Sequence, residues 1–543
     1  MADAEKDLRY SPSGIPLKPV YGPADIQHID YPERIGDPGY YPYTRGLYPA
    51  MYRSSPWATL EVSGYGLPEE TAERQRFLIS QGQAHLFGRP AVHICFDLGT
   101  QYGHDCDDPL AQFEVGRCGT LVNSIEDMDR LFQPLPMEDM HTSFIICPSA
   151  PVILAMYVAA AEARGIPRDK LRGSINNCSI IAPIADNMIA FPLRDTLRLM
   201  LDVVKFCTEE MPHVHPVTFQ VYSCRERGAT AVQELAFSLA AALAVVRGGI
   251  ERGLDVDAFA PSLVFFYSLN NNFFEEIAKL RAARRMWATI MRERFGARNP
   301  KSWMCQMLSQ TSGSTLPAQE PLNNVARVAI QALAGVLGGV QAMHTCAYDE
   351  AHDIPTEEAV RVAVKTQRII EHETGVTDVA DPLGGSYYVE HLTDRVEEEA
   401  WKYLERIEEL GGYIPALEKG YLQREIAEAA QRHQGQVETG ERVIVGVNKY
   451  VSQENTPIDT FCYNPDARQV AVTRLKDFKG RRDESRVAAA LAELRGAACD
   501  PDAYLMPFIL KAVTSRATVG EVMGAMRQVF GKYHQETVLA GAS

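Results

Sequence analysis

The chain has 543 residues, of which 46% are hydrophobic and 23% are charged, as in an ordinary globular protein long enough for one very large domain or several smaller ones. Its net charge of −16 argues against broad binding of nucleic acid or of an anionic membrane. The sequence contains neither an apolar run of about 18 residues nor a signal-peptide pattern, so no transmembrane helix is expected. Eleven cysteines without a C-x-x-C pair predict a cytoplasmic location without disulfides or structural zinc.

The N-terminal residues 1–40 are rich in Pro, Gly and Tyr and predict an extended arm that lies against the rest of the protein. From about residue 90, short apolar runs alternate with helical patterns, for example at 195–207, 273–296, 322–339 and 357–375. The predicted strands are AVHICFDL (91–98), TSFIIC (142–147), LRGSIN (171–176), VTFQVY (217–222), SLVFFYSL (262–269), WMCQMLS (303–309), VQAMHT (340–345) and VTDVAD (376–381).

Eight strands that alternate with helices predict an α/β protein with a (β/α)₈ TIM barrel over residues 41–395. A doubly wound open sheet is the alternative, because periodicity alone does not separate the two. Residues 396–543 predict a helical C-terminal region, with one further strand candidate, VIVGVNKYV, at 443–451.

In a barrel, the chemistry takes place at the C-terminal ends of the strands. The predicted ends carry mostly small, neutral, polar residues, including the stretch from Tyr222 to Glu226. A hydrolytic site would need His344 beside Ser223 or Cys224, and the sequence does not show whether they meet. No metal-ligand motif is present, and a mouth of this kind suits chemistry performed by a cofactor, with the protein supplying position and seclusion.

Several long segments resemble one family. They are YPYTRGLYPAMYRSSPW (41–57), FEVGRCGTLVNSIEDM (113–128), DAFAPSLVFFYSLNNNFFEEIAKLRAARRMWA (257–288), SQTSGSTLPAQEPLNNVARV (309–328), HTCAYDEAHDIPTEEA (344–359), DPLGGSYYVEHLT (381–393) and VIVGVNKY (443–450). These segments resemble the barrel portion of methylmalonyl-CoA mutases and of the two-subunit isobutyryl-CoA and 2-hydroxyisobutyryl-CoA mutases. The resemblance extends from about residue 10 to residue 535.

The resemblance implies a barrel covered by adenosylcobalamin. In this family a deoxyadenosyl radical removes a hydrogen atom from an acyl-CoA, and the substrate radical rearranges by 1,2-migration of the thioester group. The family's cobalt-ligating motif, D-x-H-x-x-G, is absent from this sequence. The resemblance therefore implies a large catalytic subunit without a cobalamin-binding domain, which works in a hetero-oligomer with a separate small cobalamin-binding subunit and, by analogy, with a GTPase chaperone.

The resemblance also implies which residues carry the reaction. Tyr222 and Glu226 match the family's Tyr-His-x-x-Glu-x-Gly-Ala and are expected on the cofactor side together with Glu373. Ser223 replaces the histidine that bonds the thioester carbonyl in the family, and Gln341 is expected near the same carbonyl. A serine is shorter but still donates a hydrogen bond, so weaker polarisation of the carbonyl or a different substrate follows.

Other expected pocket residues differ from the family. Val62 replaces the tyrosine of Arg-Gln-Tyr-Ala-Gly, here Leu-Glu-Val-Ser-Gly at 60–64, which favours a bulkier or less polar acyl group. Cys95 replaces the hydroxyl-binding aspartate of 2-hydroxyisobutyryl enzymes, and Asn176 replaces a glutamine. Arg198 matches the arginine that pairs with a free carboxylate in methylmalonyl-CoA mutase, and a purely structural use of this arginine is the alternative.

The expected CoA or pantetheine contacts are Tyr48, Met51, Ser143 and Gln367, which match family positions. Several cationic or polar positions of the family's CoA groove are occupied here by other residues, and an insertion, HLFGRP (85–90), offers Arg89 as a replacement phosphate ligand. We therefore expect an atypical acyl thioester. The alternatives are an acyl group borne by a carrier protein, or a non-catalytic subunit with an assembly or regulatory role. The replaced positions are Ala50, Ser55, Ala58, Leu60, Ile181 and Gln306.

Overall fold

A computed structural model describes residues 9–85, 88–452 and 457–534. Its strands are β1 (Arg9–Tyr10), β2 (Pro16–Leu17), β3 (Ala58–Thr59), β4 (Val62–Ser63), β5 (Ala91–Cys95), β6 (His141–Ile145), β7 (Gly173–Ile175), β8 (Val214–His215), β9 (Val217–Phe219), β10 (Leu263–Leu269), β11 (Gln306–Thr311) and β12 (Ala342–His344).

The helices in the barrel part of the chain are α1 (Pro68–Ser80), α2 (Leu98–Tyr102), α3 (Ile125–Phe132), α4 (Ala150–Ala163), α5 (Leu193–Glu210), α6 (Tyr222–Glu226), α7 (Ala231–Glu251), α8 (Val256–Phe259), α9 (Phe273–Thr289), α10 (Asn323–Gly338) and α11 (Glu357–Glu373). They are followed by α12 (Tyr387–Glu409), α13 (Tyr413–Glu418), α14 (Tyr421–Glu438), α15 (Ala467–Gly480), α16 (Glu484–Cys499), α17 (Met506–Thr514) and α18 (Val519–Phe530).

The central strands form two parallel five-stranded sheets, in the orders β3-β12-β11-β10-β9 and β4-β5-β6-β7-β8. β3 and β4 are two pieces of one strand, interrupted at Leu60 and Glu61, and β8 and β9 are interrupted at Pro216, which has no N–H to donate to a neighbouring strand. Because each sheet ends on a piece of the same two strands, the eight strand positions form a ring. The predicted TIM-barrel fold class is confirmed.

Two of the predicted strands are wrong. VTDVAD (376–381) forms turns and bends after α11, and VIVGVNKYV (443–451) contributes only an isolated bridge between Val445 and Lys449. The missing barrel strand is the piece at 58–63, whose two short segments lack the apolar run by which the other strands were predicted. The remaining predicted strands are found, with WMCQMLS displaced to Gln306–Thr311.

α7 is a long helix of the barrel ring, and most of its residues are buried. By length and composition alone it would suffice to span a membrane, yet 83% of its most apolar window is buried inside the protein. It begins at Thr230, whose hydroxyl accepts the Gln233 N–H at 3.2 Å as an N-terminal cap. The apolarity of α7 is therefore that of a core helix.

The N-terminal arm contacts the helical ring at several points. Ser11 Oγ donates a 2.6 Å hydrogen bond to Glu275 on α9, Ile15 is buried in the main core, and Arg34 pairs with Asp394 at 2.9 Å. α12 packs on α7 and α9, while α17 and α18 pack on α4. The predicted boundary at residue 395 lies within α12, so the C-terminal helices continue directly from the ring.

Candidate active site at the C-terminal strand ends

The turn that follows β9 is a short helix, α6, fixed at the mouth of the barrel. The Tyr222 ring stacks on Phe266 of β10, with centroids 4.7 Å apart. The Glu226 carboxylate accepts hydrogen bonds from Ser312 Oγ at 2.7 Å, from the Ser314 N–H at 2.6 Å and from Ser268 Oγ at 3.4 Å. The ends of β10 and β11 thus hold both predicted cofactor-side residues in one place.

Ser223 and Asn176 are brought together by a residue that the sequence reasoning missed, Gln220. Asn176 Nδ2 donates to Gln220 Oε1 at 2.5 Å, and Gln220 Nε2 donates to Ser223 Oγ at 3.5 Å. Gln220 lies one residue after β9, and its spacing of two from Thr218 is the signal that could have placed it on the inner face. The result is a neutral polar wall at the mouth.

The opposite wall contains Val62 and Cys95, both partly buried. The Val62 N–H donates to His344 Nδ1 at 3.0 Å, and burial raises the pKa of the Cys95 thiol, so this side chain stays neutral. The hydrogen-bond partners of His344 are therefore on this wall, whereas Ser223 bonds Gln220 on the other. This arrangement does not form the hydrolytic pair considered from the sequence.

Two carboxyl groups at the mouth have pKa values raised by burial. Burial raises the pKa of Glu350 to about 6, with His344 opposing the shift and Glu226 adding to it. Burial also raises the pKa of Asp97, at the end of β5, to about 7, although Thr100 donates to its Oδ1 at 2.8 Å. Its Oδ2 is buried without a hydrogen-bond partner in the described part of the chain, as suits a protonated acid.

The N-terminal end of the barrel holds Tyr48, Met51 and Gln341. Met51 Cε lies 3.4 Å from the Cβ position of Gly339, two residues before Gln341, and Tyr48 precedes Met51 by three residues. Gln341 accepts the Met307 N–H at 2.9 Å and donates to the Gly339 carbonyl at 2.8 Å. The expectation that Gln341 lies near the carbonyl beside Ser223 is therefore wrong, because Gln341 precedes β12 and those residues follow their strands.

Ser143 lies on β6, in register with Ser174 of β7, between the two ends of the barrel. Ser174 Oγ donates to Ser143 Oγ at 2.9 Å. Small hydroxyl side chains in the interior leave room that larger residues would fill. The site residues therefore follow the barrel axis, from Tyr48 and Met51 at the N-terminal end, past Ser143, to Val62 and Ser223 at the mouth.

Arg198, Gln367 and Glu373, which were also predicted as site residues, lie away from the positions expected for them. The Arg198 guanidinium on α5 donates to the carbonyls of Ala498, Asp500 and Ala503 at 3.1, 2.5 and 3.0 Å, which is the structural alternative, and pairing with a substrate carboxylate is wrong. Gln367 is fully buried, and its side-chain amide is hydrogen-bonded within the protein. It accepts the Trp57 Nε1–H at 2.8 Å and donates to Glu61 at 2.9 Å. A contact of Gln367 with pantetheine is therefore wrong.

Glu373 is exposed at the C-terminal end of α11. Arg368, in the same helix, donates to the carbonyl of Gly82 at 2.6 Å and to Thr59 Oγ1 at 2.9 Å, beside the N-terminal half of the first barrel strand. The helix therefore runs away from the mouth before it reaches Glu373. Placing Glu373 with Tyr222 and Glu226 on the cofactor side is wrong for this reason.

The insertion at 85–90 lies at the N-terminal end of the barrel. Leu86 and Phe87 of this insertion are outside the described residues. The His85 ring stacks on that of His141, the first residue of β6, at 3.9 Å, and the His85 N–H donates to the Arg89 carbonyl at 2.8 Å. Arg89 is thus on the same side of the barrel as Tyr48 and Met51, where a phosphate ligand was expected.

Within residues 9–85, 88–452 and 457–534, no three His, Cys, Asp or Glu side chains are grouped so as to hold a metal ion.

Comparison of the sequence with known proteins indicates one family. A family model described as "Methylmalonyl-CoA mutase" matches residues 10–532. The chain is 38% identical over 539 residues to the 2-hydroxyisobutanoyl-CoA mutase large subunit of Aquincola tertiaricarbonis, covering 99% of this chain and 94% of that one.

Two further relatives are methylmalonyl-CoA mutases. The protein from Rhizobium meliloti is 40% identical over 539 residues, which are 98% of this chain and 74% of that protein. The mitochondrial enzyme of Mus musculus is 36% identical over 535 residues, which are 98% of this chain and 70% of that protein. This chain therefore belongs to the methylmalonyl-CoA mutase family of isomerases.

Proposed function

We propose that this protein is the large, substrate-binding subunit of an adenosylcobalamin-dependent mutase whose acyl-CoA substrate has an aliphatic acyl group without a second carboxylate. The observation that carries the proposal is the barrel mouth, where the side chains of Val62 and Cys95 on one wall and of Asn176 and Ser223 on the other are neutral. A radical rearrangement needs such a secluded and unreactive environment.

The mouth also fits a large, mostly apolar cofactor. The loop after α2 is held over the end of β5, since Thr120 N–H donates to the Cys95 carbonyl at 2.8 Å. Gly119 makes this approach possible, because a Cβ there would lie 2.2 Å from the Phe96 carbonyl carbon. On this loop Leu110 and Phe113 are 73% and 72% exposed, an unusual degree for large apolar side chains beside an enzyme mouth.

When bound, adenosylcobalamin supplies a radical that removes a hydrogen atom from the substrate and returns it after 1,2-migration of the thioester group. Tyr222 and Glu226 are the residues of this chain that would contact the cofactor and keep water from the chamber. The cobalt ligand would come from a small partner subunit, in line with the near full-length match to a protein named as a large subunit. A GTPase chaperone that loads the cofactor completes the proposal.

The acyl group is inferred from what surrounds it. Nη1 and Nη2 of Arg198 donate to backbone carbonyls of the C-terminal helices, which disfavours pairing of this arginine with a substrate carboxylate. Cys95 is a neutral thiol where a hydroxyl-binding acid would be needed for a hydroxyacyl group. Val62 leaves room where the family's tyrosine would stand. These three positions together favour a branched aliphatic acyl group over a malonyl or hydroxyacyl group.

The remainder of the thioester would extend along the barrel axis. Ser143 and Ser174 in the interior offer hydroxyl groups to the amides of a pantetheine arm, and Tyr48, Met51 and Gln341 lie where that arm would leave the barrel. Arg89 lies on the same side and is our candidate for a phosphate contact. A long, thin substrate arm matches this arrangement better than a compact substrate does.

The test is calorimetric binding of an acyl-CoA panel, with the matching acyl-pantetheines, followed by an isomerisation assay with the small subunit and adenosylcobalamin. We expect isobutyryl-CoA and larger branched acyl-CoAs to bind and to be isomerised, and methylmalonyl-CoA and 2-hydroxyisobutyryl-CoA to be poor substrates. Equal binding of pantetheines would move the substrate to a carrier protein. Binding of no thioester in the presence of the partner would overturn the proposal in favour of a non-catalytic subunit.

A further inference from the structure

A histidine–glutamate pair lies on the wall of the mouth beside Val62. His344 is the last residue of β12, and Glu61 links β3 to β4. His344 Nδ1 lies 2.7 Å from Glu61 Oε2, and both side chains are buried. A buried pair of this kind is costly unless all its hydrogen bonds are made, so its position beside Val62 calls for a reason.

Glu61 is fixed from several sides. It accepts hydrogen bonds from Thr345 Oγ1 at 2.6 Å and from Gln367 Nε2 at 2.9 Å, and Gln367 is in turn anchored by Trp57 Nε1 at 2.8 Å. All these groups donate, which suits a carboxylate rather than the glutamine found at this position in the family's Arg-Gln-Tyr-Ala-Gly. Glu61 therefore acts as a rigid support for the His344 ring.

The other ring nitrogen, Nε2, is directed toward the interior of the mouth. His344 is in register with Gln310, and Gln310 with Ser268, so the three side chains share one face of the sheet. Ser268 Oγ bonds Glu226, which identifies that face as the inner one. Nε2 has a long contact with Cys346 Sγ, at 4.0 Å, and that thiol donates to the Thr311 carbonyl at 3.0 Å. Nε2 thus keeps its capacity for a hydrogen bond.

Two arrangements of the ring put a proton on Nε2. In the neutral tautomer whose Nδ1 accepts the Val62 N–H, at 3.0 Å, the ring proton is on Nε2. In the protonated ring, Nδ1–H faces Glu61 and Nε2 is also an N–H donor. In either arrangement His344 presents a donor toward the acyl chamber, next to the residue that is expected to contact the acyl group, whereas a neutral ring with its proton on Nδ1, facing Glu61, would make Nε2 an acceptor.

We propose that His344 Nε2–H donates the hydrogen bond to the thioester carbonyl oxygen, the role for which Ser223 is too short. The inference rests on the proposed function, since it needs an acyl thioester in the mouth. It explains how this chain polarises the carbonyl although its α6 has lost the family's histidine. Glu61 is the positioning residue of the pair, and His344 is the catalytic one.

The experiment is isotope-edited infrared spectroscopy of ¹³C-carbonyl-labelled isobutyryl-CoA, or of the tightest-binding panel member, bound to the full chain. In the wild type we expect the carbonyl stretch at lower wavenumber than in the free thioester. His344→Gln should abolish most of this shift, and Glu61→Gln, which keeps the size of the side chain, should reduce it. Ser223→Ala should keep it, as should the control His28→Gln on the exposed N-terminal arm.

With the small subunit present, His344→Gln should also lower kcat/KM by about 10- to 100-fold, the loss expected for one strong hydrogen bond in the transition state. An unchanged carbonyl stretch in both His344→Gln and Glu61→Gln, or its loss in Ser223→Ala, would overturn the assignment while leaving the mutase proposal intact. Failure of the wild type to bind any acyl-CoA would overturn the proposed function, and this assignment with it.

Discussion

The helical ring and the interior of the barrel use charge in opposite ways. On α9, Lys279 is fully buried and its ammonium donates to Glu234 at 2.6 Å and to Glu276 at 2.5 Å, while Arg225 donates to Glu276 at 2.8 Å. The barrel mouth, by contrast, carries amides, hydroxyls, a thiol and a valine beside the carboxyl groups of Asp97, Glu226 and Glu350. Within it, His344 Nδ1 lies 2.7 Å from Glu61 Oε2.

This difference distinguishes the framework, the helices that hold the site residues in position, from the chamber, the barrel mouth in which the reaction would take place. The buried ions join α6, α7 and α9 and reach the Ser268 carbonyl at the end of β10, so they fix the elements that carry Tyr222 and Glu226. Charges in the chamber would instead stabilise competing ionic reactions and bind water. The molecule therefore places its charges behind the site, and the following predictions test this division from the largest effect to the smallest.

Lys279→Met should have the largest effect. The substitution leaves the buried Glu234 and Glu276 carboxylates without their shared cation, which typically costs about 3–5 kcal/mol in the free energy of unfolding. Urea denaturation of the variant measures this loss. The matched control is Lys402→Met, whose side chain is 57% exposed and should cost less than about 1 kcal/mol. Equal midpoints for the two variants would show that the α9 network is not a framework.

The variant Arg198→Gln tests whether this arginine stabilises the framework or contacts the substrate in the chamber. Loss of its hydrogen bonds to the carbonyls of Ala498, Asp500 and Ala503 should lower the free energy of unfolding by about 2–3 kcal/mol. The ranking of acyl-CoAs in the calorimetric panel should not change. Arg406→Gln, at an exposed ion pair on α12, is the control and should be nearly neutral. A changed ranking with unchanged stability would return Arg198 to the substrate site.

Glu350 should make stability depend on pH. Its pKa rises from 4.5 to about 6 on folding, so the folded state holds the proton more tightly. This stabilisation is fully present below pH 4.5 and is lost as the pH rises through 6, by about 2 kcal/mol in total. Denaturation of wild type and Glu350→Gln across this window checks the prediction. Identical pH slopes for the two proteins would mean that Glu350 is not held neutral.

Val62→Tyr should have the most specific and smallest effect, on the choice of substrate. A ring in place of the isopropyl group fills the chamber, so kcat/KM for large branched acyl-CoAs should fall at least about 10-fold relative to small ones. Val379→Tyr, on an exposed turn, is the control. Unchanged product profiles in Val62→Tyr would show that the acyl pocket lies elsewhere.

The sequence predicted the barrel because strands buried on both faces appear as apolar runs between amphipathic helices, as at Leu263–Leu269 and Ala91–Cys95. It missed the piece at 58–63, where two short segments carry Thr, Glu and Ser, and it mistook VTDVAD for a strand because β-branched residues also occur in turns. For the site, Tyr222 and Glu226 were predicted from the family motif, and both lie on the short helix α6. Gln220 was missed, because its spacing of two from Thr218 is only a weak indication that its side chain lies on the inner face of the barrel.

The sequence by itself determined the family, the alternation of strands and helices and the residues of α6, because these depend on local patterns and on long matching segments. Only the tertiary structure decided which side chains meet. Arg198 turns to the C-terminal helices, Gln341 precedes its strand, and His344 is joined to Glu61 across 283 positions of chain, since closure of the ring brings its first and last strands together. No local pattern records such a contact, because it arises when the sheet closes.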